Sequence, residues 1–360
     1  MDSLLTVWVP GRAPQVPSGR LGRVLEKALD GLPFRLADTE TLCRQKGPGP
    51  VLFCLPLDAN GLNPDYFSLL AALRGGACPL EGWVGGLVVD GEGELYTKAV
   101  ARELVLAANR AGCAFVGRPL VEATGSLENF RVRAGLLGAG LEDAYREEVK
   151  DLAGRLLAFR PLEPARPPRL LVLHASNRST SNTLALWQQV RQGLEGECEI
   201  QEIGLRNGTL EDCAGCPYKT CLHFGEQGSC FYGGVMVRQV YPAVSEADAI
   251  LLLCPNYNDA VSANLTAFIN RLTALFRTRR FYDKALFALV VSGYSGSDLV
   301  AQQLISALNM NKSFFLPPHF CLMETANDAG AALRLPGIET RTAAFARNIR
   351  QALGLDGKKA

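Results

Sequence analysis

The chain has 360 residues, 48% of them apolar and 20% charged, with 37 basic against 36 acidic side chains. That length exceeds one ordinary domain and suits two of about 150 residues, while the near-zero net charge disfavours a nucleic-acid partner. No apolar run approaches the ~20 residues that span a bilayer and Met1 to Leu5 lacks a basic leader, so a cytoplasmic protein with no membrane partner is expected. In a reducing compartment, eleven cysteines read as thiols, metal ligands or redox groups rather than as a disulfide framework.

Taken in order, the elements repeat. Residues 51–73 (VLFCLPLDANGLNPDYFSLLAAL) and 250–272 (ILLLCPNYNDAVSANLTAFINRL) are each strand, Pro-containing loop and helix, offset by 250 − 51 = 199. Downstream, LVVDG from Leu87 parallels LVVSG from Leu289, and Asn109 and Phe115 parallel Asn309 and Phe315. Upstream, residues 4–31 parallel 170–196 at an offset of 170 − 4 = 166, which gives the second copy 199 − 166 = 33 additional residues between its second and third strands. A period this long means a duplicated domain rather than a solenoid, the competing reading being that buried strands look alike. The expected layout is a first domain over 1–140, then a connecting helix and Pro-rich linker (RPLEPARPPR from Arg160) within 141–168. A second domain over 169–355 follows, with a cysteine insert at 207–235.

In the second copy, apolar runs at 170–174, 249–254, 285–291 and 314–323 are short enough for buried strands, and Val261, Leu265, Phe268, Leu272 and Phe276 follow helical spacing. Strands alternating with helices predict an α/β, doubly wound parallel sheet in each copy. Such sheets bind ligands at the carboxyl ends of their strands.

Three loops fall at those ends. The first runs His174-Ala175-Ser176-Asn177-Arg178-Ser179-Thr180-Ser181-Asn182-Thr183 into a helix, and hydroxyls, a cation and a helix amino-terminus together suit a phosphate. An ordinary N-cap uses the same residue types. The second is Cys254-Pro255-Asn256-Tyr257-Asn258, a rigid proline and an aromatic that suit a flat ring, or simply a half-buried loop aromatic. The third, Ser292-Gly293-Tyr294-Ser295-Gly296-Ser297, is glycine-rich, permitting close backbone approach or a plain turn. Before the third strand lies Cys213-x2-Cys216-x4-Cys221-x8-Cys230, four thiols within 18 residues, with His223 a bystander or substitute ligand. The first copy has prolines in its first loop (Pro10 to Pro17), an acid in place of tyrosine in its second (Leu55-Pro56-Leu57-Asp58), and no cysteine insert.

The first loop resembles the phosphate loop of the flavodoxin-like NAD(P)H-dependent FMN reductases. Ala175, Ser176, Arg178, Ser181, Asn182 and Thr183 match its small-Ser-x-Arg then Ser-Asn-Thr pattern in order. The second is similar to that family's Pro-x-Tyr loop. The resemblance implies two tandem flavodoxin-like sheets of order 2-1-3-4-5, the second binding FMN. Ser176, Arg178, Ser181, Asn182 and Thr183 would hold the phosphate. Pro255, Asn256, Tyr257, Asn258, Ser292, Gly293 and Tyr294 would line the ring.

The cysteine positions resemble the iron–sulfur flavoproteins, whose motif also lies between strands two and three. That family's compact form usually has two residues between its second and third cysteines, where this chain has four. A 4Fe-4S cluster, a structural zinc and unligated thiols therefore stand as three readings of Cys213, Cys216, Cys221 and Cys230. The implied activity is hydride transfer from NAD(P)H to FMN, with electrons passed between flavin and cluster and on to a small-molecule or protein acceptor. No side chain need act as acid or base. The alternatives are a non-enzymatic electron carrier and a zinc-containing structural or regulatory protein. Relatives of the second copy commonly dimerise with flavin near the interface. The first copy is therefore expected to be a degenerate, FMN-free partner in an internal pseudo-dimer, with homo-oligomerisation left open.

Overall fold

A computed structural model describes residues 4–11, 15–45, 47–163, 167–176 and 180–355. The chain divides into two compact units, residues 1–160 and 161–360. The first unit comprises β1 (Leu5–Trp8), α1 (Gly19–Ala28), β2 (Phe34–Ala37), α2 (Thr39–Arg44), β3 (Pro50–Leu57), α3 (Pro64–Arg74), β4 (Val84–Gly91), α4 (Thr97–Arg110), β5 (Ala114–Ala123), α5 (Arg131–Leu137) and α6 (Leu141–Leu157). The second comprises β6 (Arg169–His174), α7 (Asn182–Gln192), β7 (Glu199–Gly204), α8 (Tyr218–Glu226), α9 (Tyr241–Glu246), β8 (Ala249–Pro255), α10 (Ala263–Arg271), α11 (Thr273–Phe276), β9 (Ala285–Ser292), α12 (Ser297–Leu304), β10 (Cys321–Thr325) and α13 (Ile338–Ala352).

Each unit is built on one five-stranded parallel sheet, ordered β2-β1-β3-β4-β5 in the first and β7-β6-β8-β9-β10 in the second. The expected 2-1-3-4-5 order is met in both. The central strands β3 and β8 are unbroken apolar runs because helices cover both faces, and β9 is buried at all eight positions. The edge strand β7 reads Glu-Ile-Gln-Glu-Ile-Gly and is largely exposed, a polar edge that resists pairing with another chain. Local signals start the helices: Asp38 caps α2, Asn63 caps α3 with Pro64 at its first position, and Ser181 caps α7.

The ladders sharpen the repeat. Thr6 pairs with Val51 and Val51 with Gly85, while Val172 pairs with Leu251 and Leu251 with Phe287. With the first strands offset by 172 − 6 = 166, the third are offset by 251 − 51 = 200 and the fourth by 287 − 85 = 202. The offset of 199 read from the sequence is thus one residue out on the third strand. An apolar run buried on both faces has no alternation to set its register.

The fifth strands share an irregularity. Residues 115 to 120 lie opposite 85 to 87, and 315 to 321 opposite 285 to 288, so each carries three extra residues. Arg118 and His319 sit in these excursions with positive φ of 51° and 48°. This corrects the strand expected over 314–323, whose ladder begins only at Cys321 apart from the Phe315 bridge.

Two further expectations change. The helix read as a connector, α6, buries Tyr145, Val149, Leu152, Ala153 and Leu156 in the core of the first unit beside α1. Its buried face follows helical spacing, whereas the linker after it offers only isolated apolar residues; positions 164–166 lie outside the described residues. Cys43 and Cys78, expected to be free thiols, form a disulfide with Cα atoms 4.4 Å apart. Nothing local in the sequence pairs cysteines 35 positions apart. Among the described residues no helix is long and apolar enough to cross a membrane.

Candidate functional site

The strand order of the second unit reverses between β6 and β8, which run side by side from Leu170 and Ala249 to His174 and Leu253. At a doubly wound sheet this is where a ligand is held. The loops after β6, β8, β9 and β10 all open at the same carboxyl edge.

Asn182, the first residue of α7, donates from Nδ2 to the carbonyls of Ala326 (3.2 Å) and Asp328 (2.9 Å) and accepts at Oδ1 from the Ala332 N–H (3.3 Å). The sequence reading gave Asn182 to the phosphate. Its side chain ties the loop after β10 to the start of α7. Ser181 Oγ accepts from the Leu184 N–H (3.3 Å), Thr183 is buried and Ser176 half-buried. Asn177, Arg178 and Ser179 lie outside the described residues. Beneath this loop His174 Nδ1 donates to the Ser176 carbonyl (3.2 Å), while its Nε2 lies 3.4 Å from Glu202, which also accepts from Trp187 Nε1 (2.9 Å).

The second and third loops form one scaffold. Asn258 and Asp259 both have positive φ, 54° and 57°, a pair of strained positions that other contacts must hold. Gln303 does so, accepting from the Val261 N–H (3.0 Å) and donating to the Asp259 carbonyl (2.8 Å). Asn256 Nδ2 donates to Asp259 Oδ1 (3.2 Å), Ser292 Oγ (3.0 Å) and the Ser295 carbonyl (2.9 Å), while Ser292 Oγ lies 2.7 Å from Ser297 Oγ. Gly296 caps α12 at φ 84°, and a Cβ there would stand 2.0 Å from Asp259 Oδ1. Only glycine fits where the loops meet. Gly296 belongs to the glycine-rich loop read from the sequence, whereas Asp259 and Gln303 were not singled out there, because nothing in their local sequence marks a partner 44 residues away.

This scaffold presents two aromatic rings to solvent, Tyr257 at 62% exposure and Tyr294 at 83%. Pro255 and Gly293 lie half-buried beside them and Asn258 is exposed. Asn256 Oδ1 and Ser262 Oγ are buried without a partner among the described residues. Exposed rings on a rigid edge, next to buried polar atoms that no described residue satisfies, suit a planar ligand that covers the first and bonds the second. Below them Cys254 is buried, which pushes its thiol up to about 12 and leaves it inert at neutral pH.

The cysteine insert gathers elsewhere in the unit. Cys213, Cys216, Cys221 and Cys230 line one cavity with Arg271 and Arg277. Phe224, Phe231 and Tyr232 meet edge-on beside it, and the Tyr232 phenol is held above its ordinary range first by desolvation, then by Cys216. Asp212 accepts from the Cys213 N–H (2.6 Å) and from Asn270 Nδ2 (3.0 Å), fastening the insert to the end of α10. The thiols share a cavity but do not converge on one point: among the described residues no three His, Cys, Asp or Glu side chains stand close enough to hold a metal ion. His223 meets Gln227 instead (3.2 Å). Helix α10 starts at the second loop and ends at this cavity, a span of about 13 Å at 1.5 Å per residue.

In the first unit the carboxyl edge is closed from within. Arg20, in the first turn of α1, pairs with Asp90 at the end of β4 (2.7 Å) and donates to the carbonyls of Gly91 and Gly125 (both 3.0 Å). Asp58 Oδ1 accepts from the N–H groups of Asn60 (2.8 Å) and Leu62 (2.9 Å), folding its own loop shut. Tyr96, in left-handed conformation at the start of α4, lies so close to Gly61 that a Cβ on the glycine would be 2.6 Å from it. Of the proline loop expected to lack donors, residues 12–14 lie outside the described residues.

Solved structures similar to the chain include RosB with bound 8-demethyl-8-formylriboflavin-5'-phosphate (13% identity, 53% of this chain and 81% of that one, TM-score 0.41). Others are the NAD(P)H:quinone oxidoreductase from Methanothermobacter marburgensis (15%, 51% and 98%, TM-score 0.40) and the azoreductase from Bacillus anthracis (15%, 51% and 98%, TM-score 0.36). No curated protein matches the chain. The match to a family falls within the second unit, where the exposed tyrosines and the four cysteines lie: residues 168–328 match the family described as NADPH-dependent FMN reductase.

Proposed function

We propose that the protein is an NAD(P)H-dependent FMN oxidoreductase whose flavin lies on the carboxyl edge of the second sheet and exchanges electrons with an iron–sulfur centre held by Cys213, Cys216, Cys221 and Cys230. The family match over 168–328 supports the flavin and the nicotinamide. The observation that carries the reading to particular residues is the pair of exposed tyrosines on a locked scaffold beside Asn256 Oδ1, which has no partner among the described residues. FMN when bound supplies the hydride and electron chemistry. Tyr257 and Tyr294 would cover the ring, and Asn256 Oδ1 would accept from a ring N–H. The first N–H groups of α7, with Ser176 and Arg178, would hold the phosphate. Asn182 positions that helix start rather than binding phosphate itself.

For the cluster, the chemistry of the donor set supports the reading: four thiols around one cavity beside a buried cation. Loading would have to draw together side chains of which no three among the described residues stand close enough to share a metal ion. Four thiols suit zinc equally well, so metal analysis decides between the two. The first unit enters this reading as a flavin-free copy. The test is an absorbance spectrum of anaerobically purified protein with flavin, iron and zinc quantified on the same sample, followed by NADH and NADPH oxidation assays. Flavin bands with about four irons per chain and nicotinamide oxidation are expected. Flavin with one zinc would replace the cluster by a structural metal, bound flavin without nicotinamide oxidation would leave an electron carrier, and absence of flavin would overturn the proposal.

A further inference from the structure

Arg271 is 2% exposed, and among the described residues its guanidinium meets no carboxylate. It donates to two backbone carbonyls, those of Gly233 (2.8 Å) and Glu211 (3.4 Å), and its Nε has no hydrogen-bond partner among the described residues. A buried guanidinium without a counter-anion is strongly unfavourable. The anions that could answer it are the thiols of Cys213, Cys216, Cys221 and Cys230, which line the same cavity. As neutral thiols they leave the cation unanswered. As four thiolates on a 4Fe-4S core of charge +2, or on Zn²⁺, they leave a net charge of about −2. The arrangement is fixed from outside: Tyr241 Oη donates to the Arg271 carbonyl (2.6 Å), and the neighbouring Asn270 holds Asp212 beside Cys213.

We propose that Arg271 is the built-in countercharge of the four-thiolate centre, a positioning residue that stabilises the metal-loaded state and is unsatisfied without it. This rests on the reading of the insert as a metal centre. The cavity also holds Arg277, but that cation is exposed and stacks on Tyr218 (4.6 Å), so solvent screens it.

The test compares the full chain as purified with Arg271→Gln, Arg271→Lys, Arg271→Met and Arg277→Gln, measuring metal retention against a chelator. Arg271→Gln is expected to weaken retention at least tenfold, Arg271→Lys to restore most of it, and Arg277→Gln to leave it within about threefold. With iron bound, Arg271→Gln should also disfavour reduction about tenfold, a fall of about 59 mV for one electron. Arg271→Met supplies the sign that a purely structural role would not produce: a higher melting temperature than wild type in chelator-stripped protein and a lower one in loaded protein. Equal destabilisation of both forms, or unchanged retention in Arg271→Gln, would overturn the countercharge while leaving a metal centre intact. Wild-type protein with neither iron nor zinc would remove the centre itself, and the countercharge with it.

Discussion

The same sheet edge is used in opposite ways by the two units. In the first, the amino-terminus of α1 contributes Arg20, whose guanidinium spans the ends of β4 and β5 through Asp90, Gly91 and Gly125. In the second, the amino-terminus of α7 contributes Asn182, a shorter side chain that ties down only the loop after β10. Asp58 and Tyr96 then close the remaining loops of the first edge on each other, whereas Asn256 and Gln303 brace the second from behind and leave Tyr257 and Tyr294 facing water. The two edges thus differ in a few long polar side chains, while the strand order behind them is the same.

The largest expected effect lies in the closed edge. Asp90 is 7% exposed, so Arg20→Ala leaves a buried carboxylate unanswered and should lower the stability of the first unit by about 3 kcal/mol, with FMN binding to the chain unchanged. Chemical denaturation with a flavin titration on the same variant checks both halves; a loss of flavin would break the separation of roles. Next is Gly296→Ala, where left-handed backbone and the approach to Asp259 add about 2 kcal/mol of strain or more and should weaken FMN about 30-fold in a fluorescence titration. Asn182→Ala removes three hydrogen bonds and is expected to weaken FMN about tenfold through a displaced helix start. An effect as large as losing the phosphate altogether would return Asn182 to direct contact.

Smaller again is Tyr257→Ala, with about 1 kcal/mol of ring packing lost and Tyr257→Phe close to wild type. The smallest effect concerns the thiols. Burial holds Cys254 near 12, against an unfolded value of about 8.5, so the folded form keeps its proton longer. Stability should therefore fall as the pH rises past about 8.5, and alkylation at pH 8 should spare Cys254 while modifying the exposed Cys213 in metal-free protein.

Much of the fold was legible because duplication writes the same constraints twice. Asn109 and Asn309, matched by sequence, are both fully buried and donate from Nδ2 to a carbonyl a few residues on, Cys113 (2.9 Å) and Phe314 (2.7 Å). The three loops at one edge were legible from residue type and order. Their internal bonding was not. Asn182 looks the same in sequence whether its amide faces a phosphate or a neighbouring loop, and Arg20 is 70 residues from the carboxylate it meets. Arg271 sat unremarked at the end of an amphipathic helix, because a helical pattern gives no sign that one of its buried positions is a cation. The disulfide and the one-residue register shift were hidden for similar reasons: both are decided by tertiary packing.

The most direct test of the contrast between the two edges is the stoichiometry of FMN on the full chain, by titration into flavin-stripped protein with absorbance and fluorescence read together. One FMN per chain, weakened about 30-fold by Gly296→Ala and untouched by Arg20→Ala, is the predicted result. Two per chain, or one whose affinity is unchanged by Gly296→Ala and lost with Arg20→Ala, would contradict it.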